Sequence, residues 1–378
     1  MGIKSSFKNF LKSECPNIFE EINLQEYNFK KIAIDISLYL NKYIAISSSA
    51  ASMEEDEYKS NNIRNGWIIS FIKLIACLRR NEIHCVFIFD GKSPIEKLEE
   101  QNKRKDSRNN LEEKIYELEM SLDNYYKTGE IDDCLIKLYK SRRSPERVSL
   151  LNKNNNFSGS INMKWVEDKI KQKRGQIYKI TEEHYNIAKE IFDILKVPYI
   201  TAPSEAEKMC AGLNILSLVD GVLSEDTDVI AYCSPFFLCN IDIFNDTCIK
   251  ISHNNILESL DVNKDQFLDF CIMCGTDYNS NIPRVGSKTA FKHIKTHGSI
   301  EKIKENTVLD TSILNYERVR ELFTQFEEYD FDKIDYCGRP DFNILSEFLS
   351  NYNLSMNIEI LENDFKAPEI IFEKSDDD

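Results

Sequence analysis

Seven carboxylates stand where a folded α/β chain would gather them. Asp35 closes the run KIAID, Asp90 closes VFIFD, and Asp226 and Asp228 follow GVLS within EDTD. Glu205 and Glu207 open a helical stretch behind VPYITAP, and Asp277 sits in a turn after the helical run 267–274. In open α/β sheets ligands collect beyond the carboxyl ends of the strands, so this placement predicts one shared site. Packed within a few ångströms, such acids repel one another and their pKa values rise unless cations are present. Mg2+ takes oxygen ligands, usually one or two carboxylates plus substrate phosphate. Seven acids are enough for two such ions, with some acids standing behind the direct ligands. Two ions about 3.5–4 Å apart activate a water and stabilise the leaving oxygen in phosphodiester cleavage. Any single one of these acids is also an ordinary turn or cap residue; the reading rests on the set.

The elements that must position them alternate. Short apolar runs at Lys31–Ile36, His84–Phe89, Val197–Thr201, Gly221–Leu223 and Phe236–Ile241 read as strands. Between them Trp67–Arg80, His184–Leu195 and Ser204–Leu218 carry apolar residues at helical spacing, the last opening on a cap-like Ser204. The expected fold class is α/β: a mostly parallel central sheet with helices on both faces. From about Leu98 to Lys179 long charged helical stretches and an Asn/Ser-rich segment, Asn152–Asn162, read as an inserted helical region. The stretch Asp261–Glu301 is helical around a Pro/Gly turn at 282–286.

The 378 residues suggest about two domains, and 42% apolar residues are enough for a sizeable core. The longest apolar run, Trp67–Leu78, contains Lys73 and is too short to cross about 30 Å of hydrocarbon. The N-terminus lacks the apolar core of a secretory signal, and eleven scattered cysteines fit no closed disulfide framework. The expectation is a reduced, non-secreted protein that meets no membrane.

Net charge is −15, which taken alone argues against a polyanionic partner. The average hides an asymmetry. Residues 92–180 hold 20 basic against 15 acidic side chains, while the rest of the chain holds 28 against 48. Between Lys137 and Lys179 twelve basic residues face three acidic ones, and Ile300–Asp378 has 8 basic against 20 acidic. A phosphate-binding insertion and an acidic C-terminal region follow. Cys271-x2-Cys274 followed by His293-x3-His297 superficially resembles a zinc finger, but the 18 intervening residues exceed finger spacing and include Asp277. Both cysteines are read as helix packing.

Six blocks, MGI, IAIDIS, VFIFDGKSP, TAPSEAEKMCA, LSEDTDVIAY and CGTDYNSNIPRVGSKTA, occur in the order of the flap-endonuclease/XPG family, and the chain resembles it over about residues 1–105 and 181–300. The resemblance implies a PIN-like nuclease core (1–104 and 181–300), a helical arch insertion (105–180), a helix-two-turn-helix element after Asp277, and an acidic C-terminal region (301–378). It implies a Mg2+-dependent structure-specific 5′ nuclease, with Mn2+ as substitute, acting on branched or nicked DNA. The seven acids fall on the family's metal positions. Lys97 and Arg104 fall on its phosphate-facing basic positions, seven residues apart and so on one helical face. Gly2, Lys103, Gly286 and Lys288 fall on DNA contacts, with Ser287 a candidate cap for the helix whose N-terminus receives a phosphate. A 5′–3′ exonuclease, a four-way-junction resolvase and an idle DNA-binding scaffold are the alternatives.

Three departures qualify the resemblance. Arg284 stands where the family carries a second glycine; if the turn needs positive φ there, Arg284 is strained, and the K+ site that relatives form in this turn is put in question for this chain. Asn41 replaces a stacking tyrosine, with Tyr39 and Tyr43 on either side. The chain ends in Lys374-Ser375-Asp376-Asp377-Asp378 without a recognisable sliding-clamp peptide. The Ile, Asn and Lys richness is similar to that of nucleases from large DNA viruses, which implies a nucleus or viral replication site. A monomer is expected.

Overall fold

The computed structural model describes residues 2–4, 6–51, 56–141, 161–329 and 331–366. In chain order the elements are α1 (Ser6–Glu14), β1 (Glu20–Asn23), β2 (Lys31–Asp35), α2 (Ile36–Ala50), α3 (Asp56–Arg80), β3 (His84–Phe89), α4 (Leu98–Thr128), α5 (Asp133–Lys140), α6 (Met163–Arg174), α7 (Glu182–Leu195), β4 (Tyr199–Thr201) and α8 (Ala206–Ile215). There follow β5 (Gly221–Leu223), α9 (Asp228–Ala231), β6 (Phe236–Asp242), β7 (Thr247–Ser252), α10 (His253–Leu260), α11 (Lys264–Cys274), α12 (Ser287–His297), α13 (Ile300–Asn306), α14 (Tyr316–Thr324), α15 (Phe342–Asn351) and α16 (Ile358–Asp364).

The chain divides into two compact units. One comprises Met1–Asn41, Ile68–Glu100 and Thr181–Asp378; the other comprises Lys42–Trp67 and Gln101–Ile180. Residues 42–67 therefore group with the described part of the insertion, and the described residues of the C-terminal region group with the sheet.

The first unit is built on a seven-stranded sheet of order β1-β7-β6-β5-β2-β3-β4. The five strands read from sequence form its parallel part, and β7 and β1 add an antiparallel edge. Strand β3 shows why the sheet is covered on both sides. Val86 and Ile88 point into the core that holds the α8 residues Met209 and Leu213. The alternate residues Phe87 and Phe89 meet Phe71 of α3 and Phe192 of α7 on the other face, with Phe87 and Phe192 stacked at 4.5 Å. A strand buried on both faces reads as a near-continuous apolar run, as HCVFIF does. Phe7 and Phe10 of α1 pack on Phe270 of α11, and Phe10 also on Phe291 of α12, fixing the N-terminus against the helices that follow the sheet.

The second unit has its own small core, in which Ile115 and Leu118 of α4, Leu135 of α5, and Val166 and Ile170 of α6 are buried together. The basic run 142–153, most of the Asn/Ser-rich segment and the final residues 367–378 lie outside the described residues. All eleven cysteines are free thiols; Cys271 and Cys274 are buried along α11. No described helix is long and apolar enough to cross a membrane.

Candidate active site

Parallel pairing brings the acids to one edge of the sheet. Ile34 of β2 pairs with Phe87 on one side and Leu223 on the other, so Asp35, Asp90 and the turn after β5 leave the sheet together. Gly91 lets the exits of β3 and β4 approach: a Cβ there would stand 2.0 Å from the Ala202 carbonyl oxygen. Its N–H donates to the Ser204 oxygen at 2.7 Å.

The start of α8 differs from the sequence expectation. Ser204 is not its cap; Glu205 occupies the cap position without a side-chain cap bond. Asp90 supplies that bond from another strand, its Oδ1 accepting from the Ala206 N–H at 3.0 Å. Its Oδ2 accepts from the Ser37 hydroxyl at 2.7 Å, and that hydroxyl lies 3.0 Å from the Tyr185 hydroxyl. Asp35 Oδ1 accepts from the Ser37 N–H at 2.8 Å, at the N-terminus of α2. An acid aimed at helix N–H groups has its charge supported by the helix dipole.

Asp277 is held in a closed turn behind α11. The Thr276 N–H donates to the Asn279 oxygen at 3.2 Å and the Tyr278 N–H to Thr276 Oγ1 at 3.1 Å. Gly275, at φ +85, allows the helix to end there, since a Cβ would stand 2.9 Å from the Asn281 nitrogen.

Glu207, Asp228 and Asp277, all buried, each present a carboxylate oxygen within 4.8 Å of the others. Asp226 accepts from the Asp228 N–H at 2.9 Å. Lys97 reaches in among them, paired with Glu205, with Glu207 at 3.0 Å and with Asp277 at 3.5 Å. Burial opposes the charge of Lys97, but Glu207, Glu205 and Asp277 outweigh it and hold the ammonium more firmly protonated than an ordinary lysine. One cation does not balance the cluster. Burial, then the charge of Asp90, pushes Asp35 up to about 8. Burial raises Asp226, and raises Glu207 and Asp228 well above the usual carboxylate range, Glu207 in spite of Lys97. Both carboxylate oxygens of Asp228 are buried without a hydrogen-bond partner among the described residues. A buried acceptor left so costs about 1–3 kcal/mol, more when charged, so the residues present fit a hard, oxygen-seeking cation at Glu207, Asp228 and Asp277.

Gly2 lies against this cluster at φ +84. Lys97 ends a short 3-10 turn (Ile95–Lys97), not the α-helix, which starts at Leu98, so the seven-residue spacing to Arg104 is not a purely α-helical one. Arg104 and Lys103 lie on the stretch of α4 that belongs to the second unit. Gly286, not Ser287, is the N-cap of α12; Ser287 is buried and its Oγ lies 3.4 Å from Cys274 Sγ. Gly286, Ser287 and Lys288 border a shallow hollow of about 480 Å3 with Asn9, Phe10 and Ser13. Arg284 does adopt φ 65, the left-handed conformation that disfavours a side chain. Tyr39 and Tyr43 are buried, and the Asn41 amide donates to the Ser37 carbonyl oxygen at 2.8 Å.

Residues 1–111 match the XPG N-terminal domain and residues 196–277 the XPG I-region. The probable RAD2-like endonuclease 369L of Invertebrate iridescent virus 6 is 33% identical over 97% of this chain and 92% of its own length. The chain belongs to the flap-endonuclease/XPG family. Flap endonuclease 1 of Debaryomyces hansenii is 28% identical over 92% of this chain and 83% of its own. The flap-endonuclease/XPG fold is also that of the catalytic core of Rad2, solved in complex with DNA substrate, with a TM-score of 0.64 at 19% identity over 95% of this chain and 98% of that one. As a member of this family the chain is an endonuclease-type enzyme.

Around this acid cluster, Ser37, Tyr185, Tyr232 and Tyr278 escaped the sequence reading. Tyr278 directly follows Asp277 in CGTDY, and Tyr232 stands four residues after Asp228, on the next helical turn. Position beside a ligand candidate was the available signal.

Proposed function

We propose that the chain is a Mg2+-dependent, structure-specific 5′ nuclease that hydrolyses DNA phosphodiesters at flaps and other single-strand/double-strand junctions. The observation that carries this is the orphaned Asp228 carboxylate beside Glu207 and Asp277. Glu205, Asp226, Asp35 and Asp90 complete the metal set, as direct ligands or by orienting them. Bound there, a pair of Mg2+ or Mn2+ ions supplies water activation and charge stabilisation on the leaving oxygen.

The chain's own groups do the rest. Lys97 now neutralises part of the carboxylate charge; with that charge met otherwise, its ammonium is available to phosphate oxygens, where it stabilises developing charge without covalent chemistry. Arg104, on the family's other phosphate-facing position, is assigned the same role, and Lys103 and the basic insertion guide the 5′ strand. Gly2 keeps the wall of the site thin enough for backbone approach. Gly286 and Lys288 at the N-terminus of α12 hold a duplex phosphate, next to the Arg284 turn where relatives place K+. The enzyme works as a monomer on branched or nicked DNA, in a nucleus or viral replication site.

A panel of 5′-flap, nicked, gapped, blunt and four-way DNA tests this. Incision near the flap base supports the proposal; preferred, symmetric incision of the four-way substrate selects the resolvase, and stepwise loss from a 5′ end the exonuclease. Folded protein that binds every substrate and cuts none establishes the scaffold.

A further inference from the structure

Two buried tyrosines stand behind Glu205. The Tyr278 hydroxyl donates to Glu205 Oε2, and the Tyr232 and Tyr278 hydroxyls are themselves hydrogen-bonded. A phenol has one proton to give. If Tyr278 spends its proton on Glu205, the bond between the phenols runs from Tyr232 to Tyr278, giving a one-way chain Tyr232 to Tyr278 to Glu205. Successive hydrogen bonds of this kind strengthen one another in a site that excludes water. Glu205 Oε1 is left facing Lys97, the side on which Glu207 and Asp277 also lie.

The pair is fixed from outside the segments that match the family domains. Phe323 of α14 packs on Tyr232 at 4.7 Å and edge-on to Tyr278 at 5.2 Å. One turn earlier on α14, Arg320 grips Asp269 of α11 through two 2.7 Å bonds. Helix α14 is thereby locked to the helix that precedes Asp277.

We propose that Tyr278 is a positioning residue for the metal site: its hydroxyl, oriented by Tyr232, occupies one oxygen of Glu205 and leaves the other on the side of Glu207 and Asp277, where it would serve a bound cation. The inference rests on the metal-dependent reading above. The test uses the full chain without DNA and follows Mn2+ uptake by the electron paramagnetic resonance signal of free Mn2+, in wild type, Tyr278→Phe and Tyr232→Phe. Losing such a supporting bond typically costs 10–100-fold in metal affinity, so Tyr278→Phe is expected to raise the Mn2+ dissociation constant by about 10-fold. Tyr232→Phe raises it less, and melting in EDTA stays within a few degrees of wild type for both. A role in packing alone would lower the melting temperature and leave Mn2+ affinity unchanged. If Tyr278→Phe does not fold, Tyr232→Phe, which keeps Tyr278 and removes its donor, carries the test. Wild-type Mn2+ affinity in the folded variants overturns the positioning role while leaving the metal site standing; a wild-type protein that takes up no Mn2+ overturns both.

Discussion

Gly2 and Asp226 approach so closely that a Cβ on Gly2 would stand 2.0 Å from Asp226 Oδ1, and 2.7 Å from the Asp228 nitrogen. The second residue of the chain is thus part of the wall of the acid cluster, at φ +84, where side chains are disfavoured. Gly2→Ala must push Asp226 aside or withdraw the N-terminus. A misplacement of about 1 Å costs about 100-fold in rate. The variant is expected to lose about that much single-turnover cleavage while its melting temperature changes little, measured on the same flap substrate.

Asp228 separates stability from activity. Asp228 is 1% exposed, its carboxylate has no hydrogen-bond partner among the described residues, and burial and its acidic neighbours push it toward the neutral form. Asp228→Asn removes a charge that burial and the neighbouring acids disfavour more than Lys97 supports it, so in EDTA the variant should be within about 1 kcal/mol of wild type in stability, or above it. Added Mg2+ should stabilise wild type and not the variant, because only the site that binds the ion gains by mass action. Differential scanning calorimetry with and without Mg2+ reads both.

Arg320 is the clamp of the helices behind Asp277. Its guanidinium holds buried Asp269 of α11 and Glu301 of α13 together. Arg320→Ala leaves Asp269 buried with the Ile300 N–H, at 3.1 Å, as its one remaining hydrogen-bond partner among the described residues. Removing one partner of a buried pair costs about 3–5 kcal/mol, and urea unfolding should show a loss of that size.

Acid should weaken the fold through His253 before it reaches the carboxylates outside the metal site. Burial, with Lys264 adding to it, lowers His253 to about 4, and its Nε2 is buried without a hydrogen-bond partner among the described residues. A histidine with a depressed folded pKa contributes stability above its unfolded value of about 6.5, and that contribution is lost as pH falls toward 4. The full shift corresponds to on the order of 3 kcal/mol. His253→Phe, which keeps the ring against Phe267, should flatten the stability profile between pH 6.5 and 4. Glu301, held down to about 2 by Arg320, adds a smaller loss below about pH 4.5, reduced by its exposure to solvent.

The parallel heart of the sheet was legible because β2, β3 and β5 are short apolar runs that each end in an acid or a turn. Strands β7 and β1 were not: TCIKIS buries only two residues and EEIN only one, too little alternation to read at an edge. Asp35, Asp90, Asp226 and Asp228 were read from strand ends, and Glu205, Glu207 and Asp277 from a helix start and a turn, but their partners come from far along the chain, which spacing does not reveal. Asp90 caps α8 across 116 positions, making a local cap at Ser204 unnecessary. Lys97, read as facing phosphate, sits among Glu205, Glu207 and Asp277. The strain expected of a non-glycine residue in the turn before α12 was legible, and Arg284 carries it.

The most direct test of the account is cleavage of a 5′-flap duplex by wild type and by Asp226→Ala, each in Mg2+ and in EDTA. Asp226 is buried, touches the position of Gly2 and accepts from the Asp228 N–H. Incision near the flap base by wild type in Mg2+ alone, with the variant folded, DNA-binding and inactive, is the predicted result. Incision that persists in EDTA, or in Asp226→Ala, would contradict the assignment of these carboxylates to the chemistry.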